Sequence, residues 1–179
     1  MKTREELLKT PRMFNYPHMG GPTSCKGLFD LIDDHITPAS IIIEIGSFAG
    51  VSTECFAKHC ARIYCIDTWA PNYEYHDHTI QHAETQFDQL TKEYNNIIKI
   101  KAKSAQATYL FTTSKVDLIY IDADHSYESV KQDIQNWIPK LKPGGILSGH
   151  DYHIPSVQTA VRLFANPKIY DDCSWAFRI

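Results

Sequence analysis

The chain has 179 residues, a formal net charge of -3 and 22% charged residues. A chain of this length forms about one domain, and its charge excludes the strongly basic surface typical of proteins that bind nucleic acids or anionic membranes. We therefore expect a single domain over residues 1–179 that acts on a small molecule and has no nucleic-acid partner.

The N-terminal segment and the cysteines predict the compartment. Residues 1–10 are charged and lack the apolar core of a secretory signal, and no apolar run approaches the roughly 20 residues of a membrane helix. The five cysteines include no C-x-x-C pair, which suits buried thiols in a reducing compartment. We expect a cytoplasmic protein with no membrane partner.

Residues 1–25 predict a short helix, beginning near Arg4, and then a flap. The flap is rich in turn-forming and aromatic residues, which would either cover a bound ligand or pack against the next helix. That helix is predicted over residues 27–35, and the core follows over residues 41–179.

A continuous apolar run at residues 41–45 predicts a buried strand, and a glycine-rich turn follows it. Gly46 and Gly50 allow the backbone to turn tightly and to pass close to a ligand, while the amides of the next helix favour a polar group. Glu44 would repel a pyrophosphate, so we expect it to bind a ligand's ammonium group or to organise the loop. Nicotinamide-dependent oxidoreduction is therefore a poor alternative.

The next predicted strand, residues 62–66, ends at Asp67. An acid at this place accepts hydrogen bonds from ribose hydroxyls in dinucleotide sites. The sequence therefore suggests a nucleoside site without phosphate.

An amphipathic helix is predicted over residues 77–94. Its two histidines, His78 and His82, lie opposite the apolar face and favour solvent over a metal site. The following strand, near Ile98, alternates lysines with apolar residues, as an edge strand does, and Ser104 follows it.

The apolar run at residues 116–121 predicts a strand buried on both faces of a parallel sheet, and it ends in Asp122, Asp124 and His125. After a helix and a turn at residues 143–145, a second apolar run ends in three more polar side chains: His150, Asp151 and His153. Because ligands bind outside the carboxyl ends of parallel strands, we expect both groups at one site.

A further helix and a terminal hairpin, with strands near residues 169–170 and 174–179, complete the chain. Strands and helices alternate from residue 41 onward, which predicts an α/β fold with a parallel sheet covered on both faces and a reversed last strand.

Four motifs together resemble a class I S-adenosylmethionine-dependent methyltransferase. They are EIGSFAG at 44–50, the acid at Asp67, IDADHSYE at 121–128 and LKPGGILSGHDY at 141–152. More narrowly, the chain is similar to the small macrocin and catechol O-methyltransferase-like enzymes. The resemblance covers residues 41–179 and implies a Rossmann-like, seven-stranded, mostly parallel sheet of order 3-2-1-4-5-7-6, with the last strand antiparallel.

The resemblance also implies a site for S-adenosylmethionine. Asp67 would hold the ribose, and Ser104 would lie near the adenine. The methionine end would be lined by Glu44, Gly46, Ser47 and Gly50, with Asp122 beside them.

In the metal-dependent relatives, the acids that end strands four and five bind a divalent cation, and these acids correspond to Asp122 and Asp151. The third ligand of the catechol-type enzymes is an Asn directly after the second acid, where this chain has Tyr152. A site for Mg²⁺ or another divalent cation therefore needs a third ligand from elsewhere, and the candidates are His125, Asp124, His150 and His153.

Methyl transfer to oxygen requires alignment of the reactants and removal of the acceptor's proton. A cation held by Asp122 and Asp151 would lower the hydroxyl pKa, and without it His125 or His150 would be the general base. Asp124 and Ser126 have the alternative role of capping the following helix.

These roles predict O-methylation of a small hydroxylated molecule, a sugar or a phenol, by a protein for which homo-oligomer formation is open. The alternative is a cofactor-binding protein without catalysis that serves as a regulatory or assembly partner.

Overall fold

The computed structural model describes residues 2–9, 24–71 and 77–179, without the side chains of residues 77 and 78. The flap predicted after the first helix and most of the loop before residue 77 lie outside the described residues, as does the side chain of His78. In the part that is described, no helix is long and apolar enough to cross a membrane.

Seven strands form one sheet in the order β3-β2-β1-β4-β5-β7-β6. The first five strands pair in parallel, and β7 runs antiparallel to both β5 and β6. Their bounds are β1 Ile41–Ile45, β2 Arg62–Asp67, β3 Ile97–Lys101, β4 Val116–Ile121, β5 Leu141–Gly149, β6 Lys168–Ile169 and β7 Trp175–Arg178. The predicted fold class and strand order are confirmed.

Seven α-helices precede or connect these strands in the described residues. They are α1 Arg4–Leu8, α2 Lys26–His35, α3 Val51–Ala57, α4 Asp77–Thr91, α5 Ser104–Ala107, α6 Tyr127–Trp137 and α7 Pro155–Arg162. Short 3-10 turns extend α5 over residues 108–110 and α6 over residues 138–140.

The central strands are apolar because both of their faces are covered. Successive side chains of a strand point to opposite faces, so Ile42 packs in the cluster that contains α2 and α3, while Ile43 packs in the cluster that contains α6 and α7. Both isoleucines are completely buried, and each such side chain contributes roughly 1.5–3 kcal/mol to stability. The central strand β1 is therefore anchored by apolar packing on both of its faces.

The entry to β5 differs from the prediction. A turn was expected at residues 143–145, but the strand already begins at Leu141, which pairs with Val116. The next pair is Leu118 with Ile146, so residues 142–145 lie opposite a single residue of β4 and form a bulge. Gly144, at φ 77°, allows this bend, and its amide donates to the carbonyl of Ile179.

The predicted edge strand and the predicted buried thiols are confirmed. β3 lies at one edge of the sheet, and its lysines, Lys99 and Lys101, both pair with Glu84 of α4. All five cysteines are free thiols, and Cys173 is the one that is only partly buried.

Asp172 ties the terminal hairpin to the N-terminus of α2. Its side chain is buried, and its carboxylate accepts hydrogen bonds from the amides of Leu28 at 2.8 Å and Ser174 at 2.9 Å. The side chain of the N-cap residue Cys25 accepts no hydrogen bond from the amides in the first turn of α2. Asp172, which is distant in sequence, accepts one of them and acts as the cap. The hairpin is therefore held against the body of the domain.

Removing this acid should cost stability. Asp172→Ala leaves two buried amides without their acceptor, and we expect the free energy of unfolding in urea to fall by about 2–4 kcal/mol. Asp171→Ala is the matched control, because the neighbouring side chain is 74% exposed and loses only a surface ion pair with Lys26, worth about 1 kcal/mol or less. Equal losses for the two variants would contradict this role.

Candidate functional site

A cavity of about 670 Å³ opens at the carboxyl ends of the parallel strands. This volume lies in the range of roughly 300–1,000 Å³ typical of small-molecule sites. Its wall is built from the segments that follow five strands and from one face of α6: residues 45–52, 66–68, 102–105, 122–125 and 150–151, with Ser129, Gln132 and Asp133.

The turn after β1 forms one side of this cavity. Gly46 has φ 88°, and a Cβ there would lie 2.0 Å from the carbonyl oxygen of Asp122, so only glycine allows the turn to pass against the end of β4. Gly50, at φ 86°, precedes α3, and a Cβ there would lie 2.6 Å from Leu90. Ser47 is buried in the turn between them.

Glu44 lies behind the turn and does not line the cavity. Its carboxylate is completely buried and accepts hydrogen bonds from the hydroxyls of Ser47 at 2.8 Å, Ser52 at 2.6 Å and Thr53. Burial raises the pKa of Glu44 and these hydroxyls oppose the rise. Of the two roles expected for Glu44, this geometry favours organisation of the loop.

Asp67 lines the cavity at the end of β2 and binds the backbone of the turn after β1. Its two carboxylate oxygens accept the amides of Phe48 at 2.9 Å and Trp69 at 2.8 Å. Burial raises the pKa of Asp67, and the backbone amides around it lower the pKa. Backbone amides therefore hold this carboxylate in place at the wall of the cavity.

An acid–histidine cluster occupies the ends of β4 and β5. His125 Nε2 lies 2.9 Å from Asp151 Oδ2, and Asp122, His125 and Asp151 each offer a ligand atom within 4.8 Å of the other two. Burial raises the pKa of Asp151, but hydrogen bonds from His125 and His150 outweigh burial and hold that pKa well below its usual value. The arrangement suits a divalent cation or a carboxylate-oriented imidazole.

His150 contacts acceptors at both ring nitrogens. Nε2 lies 2.7 Å from the carbonyl oxygen of Asp172, and Nδ1 lies 3.1 Å from Asp151 Oδ1. A carbonyl and a carboxylate only accept, so both contacts are favourable when both nitrogens carry hydrogen. While these contacts hold, His150 orients Asp151 and is a weaker candidate for the general base than His125.

The other side chains considered as metal ligands lie outside the group formed by Asp122, His125 and Asp151. Asp124 accepts the amide of Ser126, whose hydroxyl accepts the amide of Ser129, so both residues cap α6 as the alternative interpretation proposed. His153 is 42% exposed, with Nδ1 3.8 Å from Asp151. Tyr152 is buried outside the cavity, and its hydroxyl accepts from Arg162.

Ser104 leads to a residue that the sequence analysis missed. Its hydroxyl accepts from the indole of Trp137 at 2.8 Å and donates to Asp133 Oδ1 at 2.5 Å. Asp133 lines the cavity and is only 8% exposed. The available signal was its position on the apolar face of α6, between Val130 and Ile134, where an acid is unusual.

His82 lies outside this cavity. It is exposed on α4, where its ring contacts Gln86, as its position opposite the apolar face predicted.

The buried carboxyl of Asp133 predicts a pH-dependent stability. Burial raises its pKa to about 6, so the folded protein holds this proton more tightly than the unfolded chain. The resulting stability is complete below about pH 4 and is lost as the pH rises through about 6. Asp133→Asn does not titrate, so its unfolding free energy should rise relative to wild type by on the order of 2 kcal/mol across this interval.

Urea titrations at several pH values measure this difference. Asp171→Asn, at an exposed position of the terminal hairpin, is the control and should follow wild type within about 0.5 kcal/mol. A difference between Asp133→Asn and wild type that stays constant with pH would contradict the account.

Comparison with known proteins identifies the family of this chain. A profile of the family described as a methyltransferase domain matches residues 43–152. This range includes the turn after β1 and the strands β4 and β5, at whose ends the acid–histidine cluster lies. The uncharacterized protein y4gI of Sinorhizobium fredii is 28% identical over an alignment 159 residues long, which covers 83% of this chain and 17% of that protein. The chain therefore spans a small part of that relative's length.

Solved structures share the fold at low identity. The O-methyltransferase NovP has a TM-score of 0.61 at 13% identity, over 86% of this chain and 76% of NovP. The N-methyltransferase NodS from Bradyrhizobium japonicum has 0.57 at 23%, over 84% and 91%. Aeropyrum pernix fibrillarin, solved with bound S-adenosyl-L-methionine, has 0.59 at 14%, over 80% and 67%.

Proposed function

The chain belongs to the methyltransferase-domain family, and from that premise we propose that it transfers the methyl group of S-adenosylmethionine to a hydroxyl oxygen of a small molecule. One observation carries the proposal: the acid–histidine cluster at the ends of β4 and β5 opens into the same cavity as the glycine turn and Asp67. The acid–histidine cluster, which can accept a proton, thus lies beside the glycine turn and Asp67, which we propose bind the nucleoside.

The residues around the cavity fit the cofactor. Gly46 and Gly50 permit close approach of the ligand to the backbone, and Asp67 offers acceptors to the ribose hydroxyls. Ser104 stands at the end proposed for the adenine, and Glu44 shapes the turn from behind. When bound, S-adenosylmethionine supplies an electrophilic methyl carbon on a sulfonium.

His125 is the residue we assign to the acceptor's proton. In a neutral imidazole one nitrogen carries hydrogen, and the Nε2 contact with Asp151 places it there, so Nδ1 holds the lone pair. With S-adenosylmethionine bound, its sulfonium would supply the methyl group to the acceptor oxygen and leave as a neutral thioether, and Nδ1 would take the proton of the acceptor hydroxyl. Asp151 stabilises the resulting imidazolium.

The same residues fit a divalent cation. Asp122 and Asp151 offer carboxylate oxygens and His125 offers an imidazole nitrogen, so the donor set suits Mn²⁺ or Fe²⁺ as well as Mg²⁺. A bound cation would lower the pKa of the acceptor hydroxyl, and Asp122 and Asp151 would then serve as ligands. In that case His125 would be the third ligand, which Tyr152 does not provide, and would not act as the base.

A hydroxylated acceptor, a sugar or a phenol, is the class this cluster serves best, because such oxygens must lose a proton during transfer. The likeness to the O-methyltransferase NovP agrees with this choice, whereas the N-methyltransferase NodS represents the competing acceptor type.

The single domain over residues 1–179 and the cytoplasmic location stay predictions, and so does the possible formation of a homo-oligomer.

Cofactor binding is the first test. Calorimetric titration with S-adenosylhomocysteine should show one site with a dissociation constant in the tens of micromolar or tighter. Gly46→Ala should abolish this binding, because its Cβ would collide with the backbone of Asp122. Absence of binding to the wild-type protein would reject the proposed function.

Transfer of an isotopically labelled methyl group to a library of sugars and phenols tests the chemistry. His125→Ala should lower the rate by about 10²–10⁴ while S-adenosylhomocysteine affinity changes by less than about threefold. His82→Ala, an exposed histidine outside the cavity, is the matched control and should leave both unchanged. Cofactor binding without turnover across the library would favour the non-catalytic alternative.

Metal dependence is tested on the active wild-type protein. If the cluster holds a cation, a chelator suppresses transfer, Mn²⁺ or Mg²⁺ restores it, and Asp122→Asn and Asp151→Asn abolish the restoration because each removes an anionic ligand. Transfer that continues at full rate in the chelator would reject the cation and leave the proton to His125 alone.

A further inference from the structure

Trp69 contacts the turn after β1 from outside the cavity. Its neighbours Thr68 and Ala70 line the cavity, whereas the Trp69 side chain is buried in the apolar cluster that contains Phe87 of α4. The ring centroids of Trp69 and Phe87 lie 4.9 Å apart, and Lys99 Nζ lies 4.5 Å from the centroid of the indole. Contacts from α4 and β3 therefore hold the indole in place.

Phe48 is the residue of the turn that Trp69 contacts. Its amide donates to Asp67 Oδ2 at 2.9 Å, and its carbonyl accepts a hydrogen bond from the indole Nε1–H of Trp69 at 2.8 Å. The amide of Trp69 donates to the other oxygen of the Asp67 carboxylate, also at 2.8 Å. Three hydrogen bonds thus join Phe48, Asp67 and Trp69 in a closed ring.

Phe48 needs these bonds because its backbone conformation is unfavourable. It has φ 45°, in the left-handed region that bulky side chains rarely adopt. Gly46 and Gly50, on either side of it, have φ 88° and 86°, which glycine adopts without strain. A strained residue keeps its conformation only where its surroundings hold it. The shape of the turn between the two glycines therefore depends on the hydrogen bonds to Phe48.

We infer that Trp69 is a positioning residue for the proposed cofactor. Its indole keeps Phe48 in the left-handed conformation and so keeps the turn at residues 46–50 in the shape that receives the ligand. This role rests on the proposed function, since it concerns the same ligand. Phe48 lines the cavity, so Trp69 acts through it without touching the ligand. When the turn leaves this shape, the apparent affinity falls in proportion to the fraction of molecules that still have it.

Calorimetric titration with S-adenosylhomocysteine tests this role without any turnover. Trp69→Phe keeps an aromatic ring against Phe87 and removes the indole donor, so its dissociation constant should rise about 5- to 20-fold. Tyr170→Phe is the matched control, because it removes a donor to Asp34 from a buried ring of the terminal hairpin. This control should stay within about twofold of wild type.

Phe48→Gly separates positioning from packing. Glycine adopts positive φ without strain, so adding Trp69→Phe to Phe48→Gly should change the dissociation constant by less than about threefold. If Trp69 served only to pack the domain, its replacement would have the same effect with either residue at position 48. Equal effects in the two backgrounds overturn the inference, and so does unchanged affinity of the single Trp69→Phe variant.

A measurement on the wild-type protein decides the matter where Trp69→Phe does not fold. Ligand binding and the Trp69–Phe48 contact should stabilise each other, so saturating S-adenosylhomocysteine should slow hydrogen exchange of the Trp69 indole N–H by at least about fivefold. An exchange rate that the ligand does not change overturns the role of Trp69 and leaves the proposed function standing. Failure of the wild-type protein to bind S-adenosylhomocysteine overturns the proposed function, and this inference with it.

Discussion

The Glu44 carboxylate, buried at the end of β1, sets the shape of the cavity through its bonds to three hydroxyls. Ser47 belongs to the turn, and Ser52 and Thr53 belong to the first turn of α3, so one acid joins the strand, the turn and the helix. Hydrogen bonds of this kind offset the cost of burying the acid. With the turn fixed, Gly46 lies against the end of β4, which brings the proposed cofactor site and the acid–histidine cluster together.

Three contacts hold the cluster: those of Asp151 with His125 and with His150, and that of His150 with the carbonyl of Asp172. Asp151 adopts φ 58°, an uncommon conformation for a residue other than glycine, and it carries the contacts with His125 and His150. His150 is in turn held by the carbonyl of Asp172, which anchors the terminal hairpin to α2. Backbone strain of this kind persists where the surroundings hold it, and it is frequent at functional sites.

Much of this arrangement was predictable from local patterns. Continuous apolar runs predicted β1 and β4, and alternation of strands and helices predicted a parallel sheet whose carboxyl edge collects Asp67, Asp122 and Asp151. The family resemblance supplied the strand order. The structure has this order, and crossover helices cover both faces of its central apolar strands.

What could not be predicted depends on side-chain and strand contacts that the apolar pattern of the sequence does not record. The orientation of Glu44, away from the cavity, is decided by hydroxyls three to nine positions later. The contact of His150 with the Asp172 carbonyl depends on the hairpin, and the hydrogen bond of Asp133 depends on Ser104 from another helix. The β5 bulge likewise reflects its pairing with β4 and β7, which no local pattern records.

The spatial order of the site is the central claim, and a crystal structure with S-adenosylhomocysteine tests it most directly. The account predicts ribose hydroxyls within hydrogen-bonding distance of Asp67 and the sulfur on the side of the cavity that holds His125 and Asp151. A ligand bound in the reverse direction, or outside this cavity, would contradict it.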